Sequence, residues 1–210
     1  MDNIKMPLDV LIGIPEEVAN LQLPSPDLRD YYRDEQERVF WFDDNVENCA
    51  PDLIKMIMRC NKEDKGKEKE DRTPIKIFID SNGGDVTFMW TLINLIEMSK
   101  TPIYTINYCT AYSAAAEILA SGHQRFAMPG SHVMIHLGSC AYMGDAANVE
   151  TTKKYFDALT KKTIEHLCER TKIEPKVFKK KTVTDWFIDE NQALEYGVVD
   201  KIITDLDEIF

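Results

Sequence analysis

The sequence predicts an α/β fold built around a largely parallel sheet. Short apolar runs typical of buried strands alternate with stretches of helical periodicity, and glycine or serine turns lie where strands end and helices begin. Strands joined through helices form right-handed crossovers, which align the strands in parallel. In such sheets, sites form at the carboxyl ends of the strands, so we expect chemistry at those turns.

The first predicted elements lie on either side of a run of charged residues. The apolar run at 39–42 predicts a strand, and Asp43–Asn45 can cap a helix that reaches about Cys60. Residues 61–73 carry almost nothing but charge, which indicates a solvated loop. The apolar run at 75–79 predicts a buried strand, and a glycine turn follows it.

Helical and strand-like segments continue to alternate in the rest of the chain. In residues 146–169, the longest helical candidate, apolar side chains share one side of the helix. Gly197 marks the stop of a short helix. The other predictions are helices at 85–100, 113–120, after Pro175 and at 191–196, and strands at 103–108, 125–128, 132–135 and 198–203.

Length and composition fit one folded domain with an appendage. The chain has 210 residues, of which 44% are apolar and 29% charged, as in folded soluble proteins. Residues 1–30 carry four of the nine prolines and little periodicity, which predicts a partly mobile N-terminal arm. We therefore expect an arm at 1–30, which could be a propeptide, and one domain over 31–210.

The charge balance and the cysteines exclude several classes of protein. A formal charge of −11, from 25 basic and 36 acidic side chains, argues against nucleic-acid partners and anionic membranes. Five scattered cysteines without a C-x-x-C pair favour a reducing compartment. With no long apolar run and no secretion signal, the sequence predicts a cytoplasmic protein without a membrane span.

Four segments, in order along the chain, supply the parts of an acyl-transfer site. The glycine turn at 80–85 can present backbone N–H groups to an anion. Ser113 lies between a strand and a helix as a candidate nucleophile, and the N–H of Ala114 lies beside it. His136 ends a strand as a candidate base, and Asp185 can orient it. We expect Asp185 to be partly desolvated by its aromatic neighbours Trp186 and Phe187.

Each segment alone also fits an ordinary structural role. The glycines fit a plain turn, Ser113 a helix N-cap, His136 a satisfied strand-end histidine, and Asp185 a helix end or turn. Two weaker chemical alternatives also stay open. One is a metal held by His132 and His136, for which no third ligand is visible, and the other is a thiol nucleophile, Cys109 or Cys140, paired with His136.

The same segments resemble the Clp peptidase proteolytic-subunit (ClpP) family over roughly residues 33–204. Residues 78–86 are similar to its "INSPGG-x-V" turn, and residues 110–116 match its nucleophile segment. Residues 125–136 are close to its "RF-x-LPNSR-x-MIH", and residues 185–200 resemble its "D-x-F" and "EYGL-[IV]-D" region. The last two segments are specific, and all four occur in the family's order.

The resemblance implies a fold, a site and an assembly. The fold is the crotonase-like Clp β-α spiral with a protruding strand-helix handle. Ser113 is the nucleophile, His136 the general base and Asp185 its orienting acid, while Gly84 and Ala114 supply the oxyanion hole. Gly84, Val86 and Ser139 fall in segments that hold the substrate. No metal and no cofactor is implied.

At the level of assembly, the resemblance implies a homo-oligomer of stacked rings, two heptamers forming a tetradecamer. The rings enclose the sites and cleave unfolded polypeptides or peptides delivered by an ATP-dependent unfoldase. The N-terminal arm would form the axial gate. Asn82, Tyr112 and the segment 137–141 depart from the family pattern. Three alternatives therefore stay open: a phage-like capsid-processing protease, a catalytically idle ring subunit, and acyl-CoA chemistry on the same fold.

Overall fold

The computed structural model describes residues 26–139 and 141–209, and it confirms the predicted α/β class. Its helices are α1 (Pro26–Glu37), α2 (Val46–Glu63), α3 (Val86–Met98), α4 (Ala114–Ser121), α5 (Ala146–Arg170), α6 (Pro175–Lys181) and α7 (Glu190–Glu195). Its strands are β1 (Val39–Phe42), β2 (Ile75–Ser81), β3 (Ile103–Tyr112), β4 (Gln124–Ala127), β5 (His132–Ile135), β6 (Trp186–Asp189) and β7 (Lys201–Ile202). Short 3-10 turns occur at Lys69–Asp71 and Leu206–Glu208.

Most of the sheet is parallel, as the alternating pattern predicts. Strands β1, β2, β3, β4 and β7 pair in that order, each parallel to its neighbour. The long strand β3 pairs with β4 through Tyr104–Asn107 and then with β5 through Thr110–Tyr112. Strands β2, β3 and β5 are therefore parallel, and their carboxyl ends meet at one edge of the sheet.

The strand β6 is antiparallel to β5, and the sequence does not predict it. Its four residues pair so that Met134 faces Phe187 and Ile135 faces Trp186. A four-residue run with both apolar and acidic members carries too little periodicity to identify a strand. The register extends by one step to place His136 opposite Asp185, at the edge where β2, β3 and β5 end.

The core lies mainly between the sheet and helices α2, α3 and α4. Residues such as Leu53 on α2, Leu92 on α3 and Ile118 on α4 are fully buried against strand residues including Ile77. A smaller apolar cluster covers the opposite face of the sheet. Its buried members are Val39, Phe78, Ile106, Phe126, Ile203 and Ile209.

Local signals account for the starts of two helices that flank the site. The side chain of Asp85 accepts hydrogen bonds from the N–H groups of Thr87 and Phe88 and so begins α3. Asp145 caps α5 in the same way through Asn148. Helix α5 spans 25 residues and buries only His166 and Leu167, both near its carboxyl end. The first part of this helix is therefore exposed and projects from the domain as the helix of the expected handle.

Three predicted boundaries are wrong. The strand predicted at 103–108 continues to Tyr112. The predicted strand at 198–203 is reduced to Lys201–Ile202. Residues 61–73 are not a uniformly solvated loop, because residues 61–63 end helix α2 and the side chain of Asp64 is completely buried. The Arg38 guanidinium binds Asp64 at 2.5 and 3.1 Å and holds the pKa of that carboxyl well below its usual range. A buried ion pair between distant segments cannot be recognised from a run of charge.

The predicted arm at 1–30 falls mostly outside the described residues. Only its last residues, 26–30, are described, and they belong to helix α1. The division of the chain at residue 31 stays a prediction. Among the helices of the described ranges, none is long and apolar enough to cross a membrane.

Candidate active site

Ser113 follows β3 in a conformation that non-glycine residues rarely adopt. Its φ is 54° and its ψ is −122°, and among the described non-glycine residues only Arg38 shares a positive φ. The Ser113 N–H donates to the carbonyl of Met134 on β5, which holds the turn in place. Ser113 occupies the N-cap position of α4, as one interpretation of the sequence had it, but its side chain makes no capping bond to the helix. The strained turn leaves the Ser113 hydroxyl free to face another partner.

That partner is His136, the residue that follows β5. The Ser113 Oγ lies 2.7 Å from the His136 Nε2, a hydrogen-bond distance between a candidate nucleophile and a candidate base. The His136 side chain is 21% exposed, so it is largely enclosed while remaining open to the cavity that it lines.

Asp185 is the third residue of the group, and the antiparallel pairing of β6 with β5 brings it opposite His136. Its Oδ1 lies 3.4 Å from the His136 Nδ1, on the side of the imidazole opposite Ser113. The expected partial desolvation of Asp185 is wrong for the single chain, because its side chain is 58% exposed. The reason is that Trp186 is buried in the core while Phe187 points outward, and neither covers the carboxylate.

The glycine turn packs directly against the nucleophile segment. Gly83 and Gly84 both have positive φ, 97° and 146°. A Cβ added to Gly83 would lie 2.7 Å from the Tyr112 carbonyl oxygen and 2.9 Å from the Ser113 Cβ. Only glycine fits a contact this close. Within the described residues, neither Gly84 nor Ala114 uses its N–H in a backbone or side-chain hydrogen bond. Gly84 and Ala114 line the same cavity as Ser113.

A cavity of about 520 Å³ opens beside these groups. Its lining includes Ser113, His136 and all three residues predicted to contact substrate, namely Gly84, Val86 and Ser139. The far wall is formed by apolar and threonine side chains of α5, with Met89 of α3 and Phe178 of α6. The arrangement can bind an extended or side-chain group of a ligand close to the Ser113 hydroxyl.

The structure does not favour the alternative chemistries. Cys109 is exposed, and slight desolvation together with the neighbouring Asp80 carboxylate raises the pKa of its thiol, which disfavours a reactive thiolate. Cys140 lies outside the described residues. In the described ranges, no three metal-ligating side chains form a group, and His132 is exposed.

A buried titratable cluster behind the cavity is absent from the sequence-based predictions. The His166 Nε2 lies 3.0 Å from Glu97, and its Nδ1 lies 3.4 Å from Glu117, a buried residue that also lines the cavity. Burial raises the pKa of Glu117. Burial alone would lower the pKa of His166, but both carboxylates outweigh it and raise that pKa. The one available signal was a glutamate inside the apolar helix 114–121.

Comparison with known proteins finds similarity to Clp proteases. The family model described as Clp protease matches residues 31–205. The chain is also similar to the ATP-dependent Clp protease proteolytic subunit 2 of Treponema denticola, with 35% identity over 131 residues. That alignment covers 61% of this chain and 66% of the relative, so the chain spans slightly less than two thirds of the relative's length.

Proposed function

Because this chain belongs to the Clp protease family, we propose that it is a serine-type peptidase that hydrolyses peptide bonds at Ser113. The observation that carries the proposal is the 2.7 Å contact between the Ser113 Oγ and the His136 Nε2, beside the unpaired N–H groups of Gly84 and Ala114. Nucleophile, base and oxyanion donors are the three parts that acyl transfer requires at one point in space.

In the acylation step, the Ser113 oxygen attacks the carbonyl carbon of the scissile peptide bond. The His136 Nε2 accepts the hydroxyl proton as the C–O bond forms. The negative charge that develops on the carbonyl oxygen is stabilised by the N–H groups of Gly84 and Ala114. His136 then donates its proton to the leaving amine, the C–N bond breaks, and an ester links the substrate's acyl part to Ser113.

In the deacylation step, water takes the place of the leaving amine. His136 removes a proton from that water, the hydroxide attacks the ester, and Ser113 recovers its proton when the C–O bond breaks. The Asp185 carboxylate, at an ion-pair distance from the His136 Nδ1, is the group to accept the Nδ1–H during the reaction, which keeps the Nε2 available as the base and stabilises the imidazolium that forms twice in each cycle. The 3.4 Å separation fits a contact that tightens when substrate binds.

The shape of the site supports an unfolded peptide as the substrate. Val86 and Ser139 both line the cavity that Ser113 lines, so a substrate chain bound there would contact the helix start after the glycine turn and the segment after His136. Neither segment carries a regular strand partner in the described residues, which leaves backbone groups for a substrate to pair with. We propose that the enzyme cleaves bonds within the substrate chain and is therefore an endopeptidase.

We extend the proposal to a ring-shaped homo-oligomer, two stacked heptamers, that encloses these sites. The projecting part of α5 and the exposed apolar side chains Leu137, Met143 and Phe187 would be covered in such an assembly. The relative's name includes the term ATP-dependent, and an ATP-driven unfoldase is the partner we propose for this chain. A cytoplasmic location stays a prediction from the cysteines.

The test is hydrolysis of a fluorogenic peptide and of a peptide ester by the wild type and by Ser113→Ala. We expect the wild type to hydrolyse both and the variant to lose on the order of 10⁴-fold or more in rate. Equal activity in the two proteins would end the proposal. An idle ring subunit would assemble and show no activity in either protein, and the Tyr112 ring, which contacts Phe187 and not the cavity, gives no support to that alternative.

A further inference from the structure

The first turn of helix α2 lies directly behind the glycine turn. The N–H of Val46 donates to the carbonyl of Gly83 at 3.0 Å, and the N–H of Asp85 donates to the Glu47 carboxylate at 2.9 Å. A Cβ added to Gly84 would lie 2.2 Å from the Glu47 Oε2 and 3.0 Å from the Val46 nitrogen. Helix α2 therefore contacts the glycine turn on both sides of Gly84.

These contacts determine where the N–H of Gly84 points. In a trans peptide the N–H and the preceding carbonyl point in opposite directions. Because the Gly83 carbonyl faces Val46, the Gly84 N–H faces away from α2. The next peptide is also held, since its N–H, on Asp85, faces the Glu47 carboxylate. Glycine has no side chain to fix its dihedral angles, so the two neighbouring peptides must do so.

We propose that Glu47 is a positioning residue for the oxyanion hole, and that it acts by holding the Gly84–Asp85 peptide. The inference rests on the proposed hydrolytic function. Glu47 does not touch the substrate, because it lies behind the turn and does not line the cavity. The Gly84 N–H belongs to the preceding peptide, which Val46 holds, and the Glu47 oxygen fixes the peptide on the other side of Gly84. With both peptides fixed, the dihedral angles of Gly84 cannot change freely, and its N–H keeps the direction that an oxyanion donor needs.

Glu47 also has an ordinary structural role, and the experiment must distinguish that role from the positioning of the oxyanion hole. As an acidic residue in the first turn of α2, it stabilises that helix through its negative charge. Replacing the glutamate by glutamine removes this charge but keeps an oxygen that can accept the Asp85 N–H. Replacing it by alanine removes both. A helix-stabilising role predicts that Glu47→Gln and Glu47→Ala behave alike, whereas the positioning role predicts that only Glu47→Ala lowers the turnover rate.

The experiment measures kcat and KM for a fluorogenic peptide, and the unfolding midpoint, for the wild type, Glu47→Ala, Glu47→Gln and Asp52→Ala. Asp52 is an exposed acidic residue on the same helix, paired with Lys55, and serves as the matched control. Removing a whole oxyanion donor costs about 10²–10³ in kcat, so misaligning one donor in Glu47→Ala is expected to cost about tenfold or more. KM is expected to stay within about twofold, because the contact matters most in the transition state.

We expect Glu47→Gln and Asp52→Ala to keep at least half of the wild-type kcat. The inference is overturned if Glu47→Ala turns over like the wild type, or if Glu47→Gln falls as far as Glu47→Ala. Should Glu47→Ala fail to fold, Glu47→Met takes its place, since it keeps the length of the side chain without an acceptor. A wild type with no Ser113-dependent hydrolysis contradicts the proposed function itself, which distinguishes the two failures.

Discussion

Ser113 combines an unfavourable backbone conformation with a chemically favourable position. Residues held at such dihedral angles cost about 1–3 kcal/mol each and persist only where neighbouring contacts impose them. Here the contact is the hydrogen bond from the Ser113 N–H to Met134 on β5. The same hydrogen bond holds Ser113 beside the end of β5, so that its hydroxyl faces His136, which lies two residues after Met134. The strain and the nucleophile–base contact therefore have one structural cause.

The glycine turn gives a test of packing at single residues. Gly83→Ala places a methyl group against Tyr112 and Ser113 at a φ of 97°, so we expect a loss of both activity and stability. Gly66→Ala is the matched control, because Gly66 has a φ of 92° and open space around the added Cβ. Both variants carry the backbone strain of about 1–2 kcal/mol, but only Gly83→Ala disturbs the site.

Denaturant unfolding and peptide hydrolysis measure the two effects. The expected result is that Gly66→Ala keeps wild-type activity and loses only the strain energy, while Gly83→Ala loses at least about tenfold in activity and is the less stable of the two. Comparable activity in the two variants would show that the turn does not pack against the nucleophile as described.

At the scale of elements, the His166 cluster joins α5 to the helices behind the site. Glu97 ends α3, Glu117 lies in α4, and His166 lies in the buried end of α5 between them. The Trp90 ring contacts the His166 ring edge-on, and the Lys162 amino group lies over Trp90. Because both ring nitrogens of His166 face carboxylates, the cluster is favourable only while it holds a proton.

The cluster predicts how the free energy of unfolding depends on pH. The raised pKa of His166 contributes stability below the pKa of an unfolded histidine, about 6.5, and this contribution is lost as pH rises through the folded pKa. The raised pKa of Glu117 acts in the same direction, because the unfolded carboxyl releases its proton first. We therefore expect the wild type to lose stability, relative to His166→Leu/Glu117→Leu, as pH rises above the unfolded pKa values, about 4.3 for the glutamate and about 6.5 for the histidine.

Single and double variants check this assignment by chemical denaturation. His166→Leu leaves the buried Glu117 without its partner and is expected to cost about 3–5 kcal/mol at neutral pH. The double variant His166→Leu/Glu117→Leu is expected to recover most of that loss, since two apolar side chains can fill the same volume. A double variant as unstable as His166→Leu, or one with the same pH dependence as the wild type, would refute the coupling.

Sequence reasoning recovered the elements whose pattern is local and missed those decided by tertiary contacts. The apolar run at 132–135 and the capped helix after Asp85 were predicted with nearly the observed bounds. The strand Trp186–Asp189 was missed, because its antiparallel pairing with β5 is a long-range event. Ser113 and His136 were found because they lie where strands end, and Asp185 because its segment resembles the family, whereas Glu47 and His166 lie in helices and carry no local signal.

At the scale of the whole molecule, the proposed rings explain the exposed apolar side chains near the site. Leu137 is 50% and Met143 is 100% exposed in the single chain, and both lie in the segment between β5 and the projecting helix α5. Apolar side chains at such exposure favour an interface with another copy of the chain. The segment lies between His136 and helix α5, so an interface formed there would connect assembly to the geometry of His136.

The double variant Leu137→Ser/Met143→Ser is expected to weaken the contact between rings and to reduce the assembly from two rings to one. Native mass spectrometry and light scattering measure the change. Met98→Ser is the control, because Met98 is 71% exposed at the end of α3, at the edge of the sheet opposite the site. An unchanged assembly in the double variant would contradict the placement of the ring contact.

The most direct test of the account is the site of covalent labelling by a fluorophosphonate. We expect the intact protein to gain one label per chain, and peptide mapping to place it on Ser113, because the hydroxyl contacting His136 is the activated one. Ser113→Ala is expected to take no label, and His136→Ala to react far more slowly. Labelling at another residue, or undiminished labelling of Ser113→Ala, would contradict the central claim that Ser113 is the nucleophile.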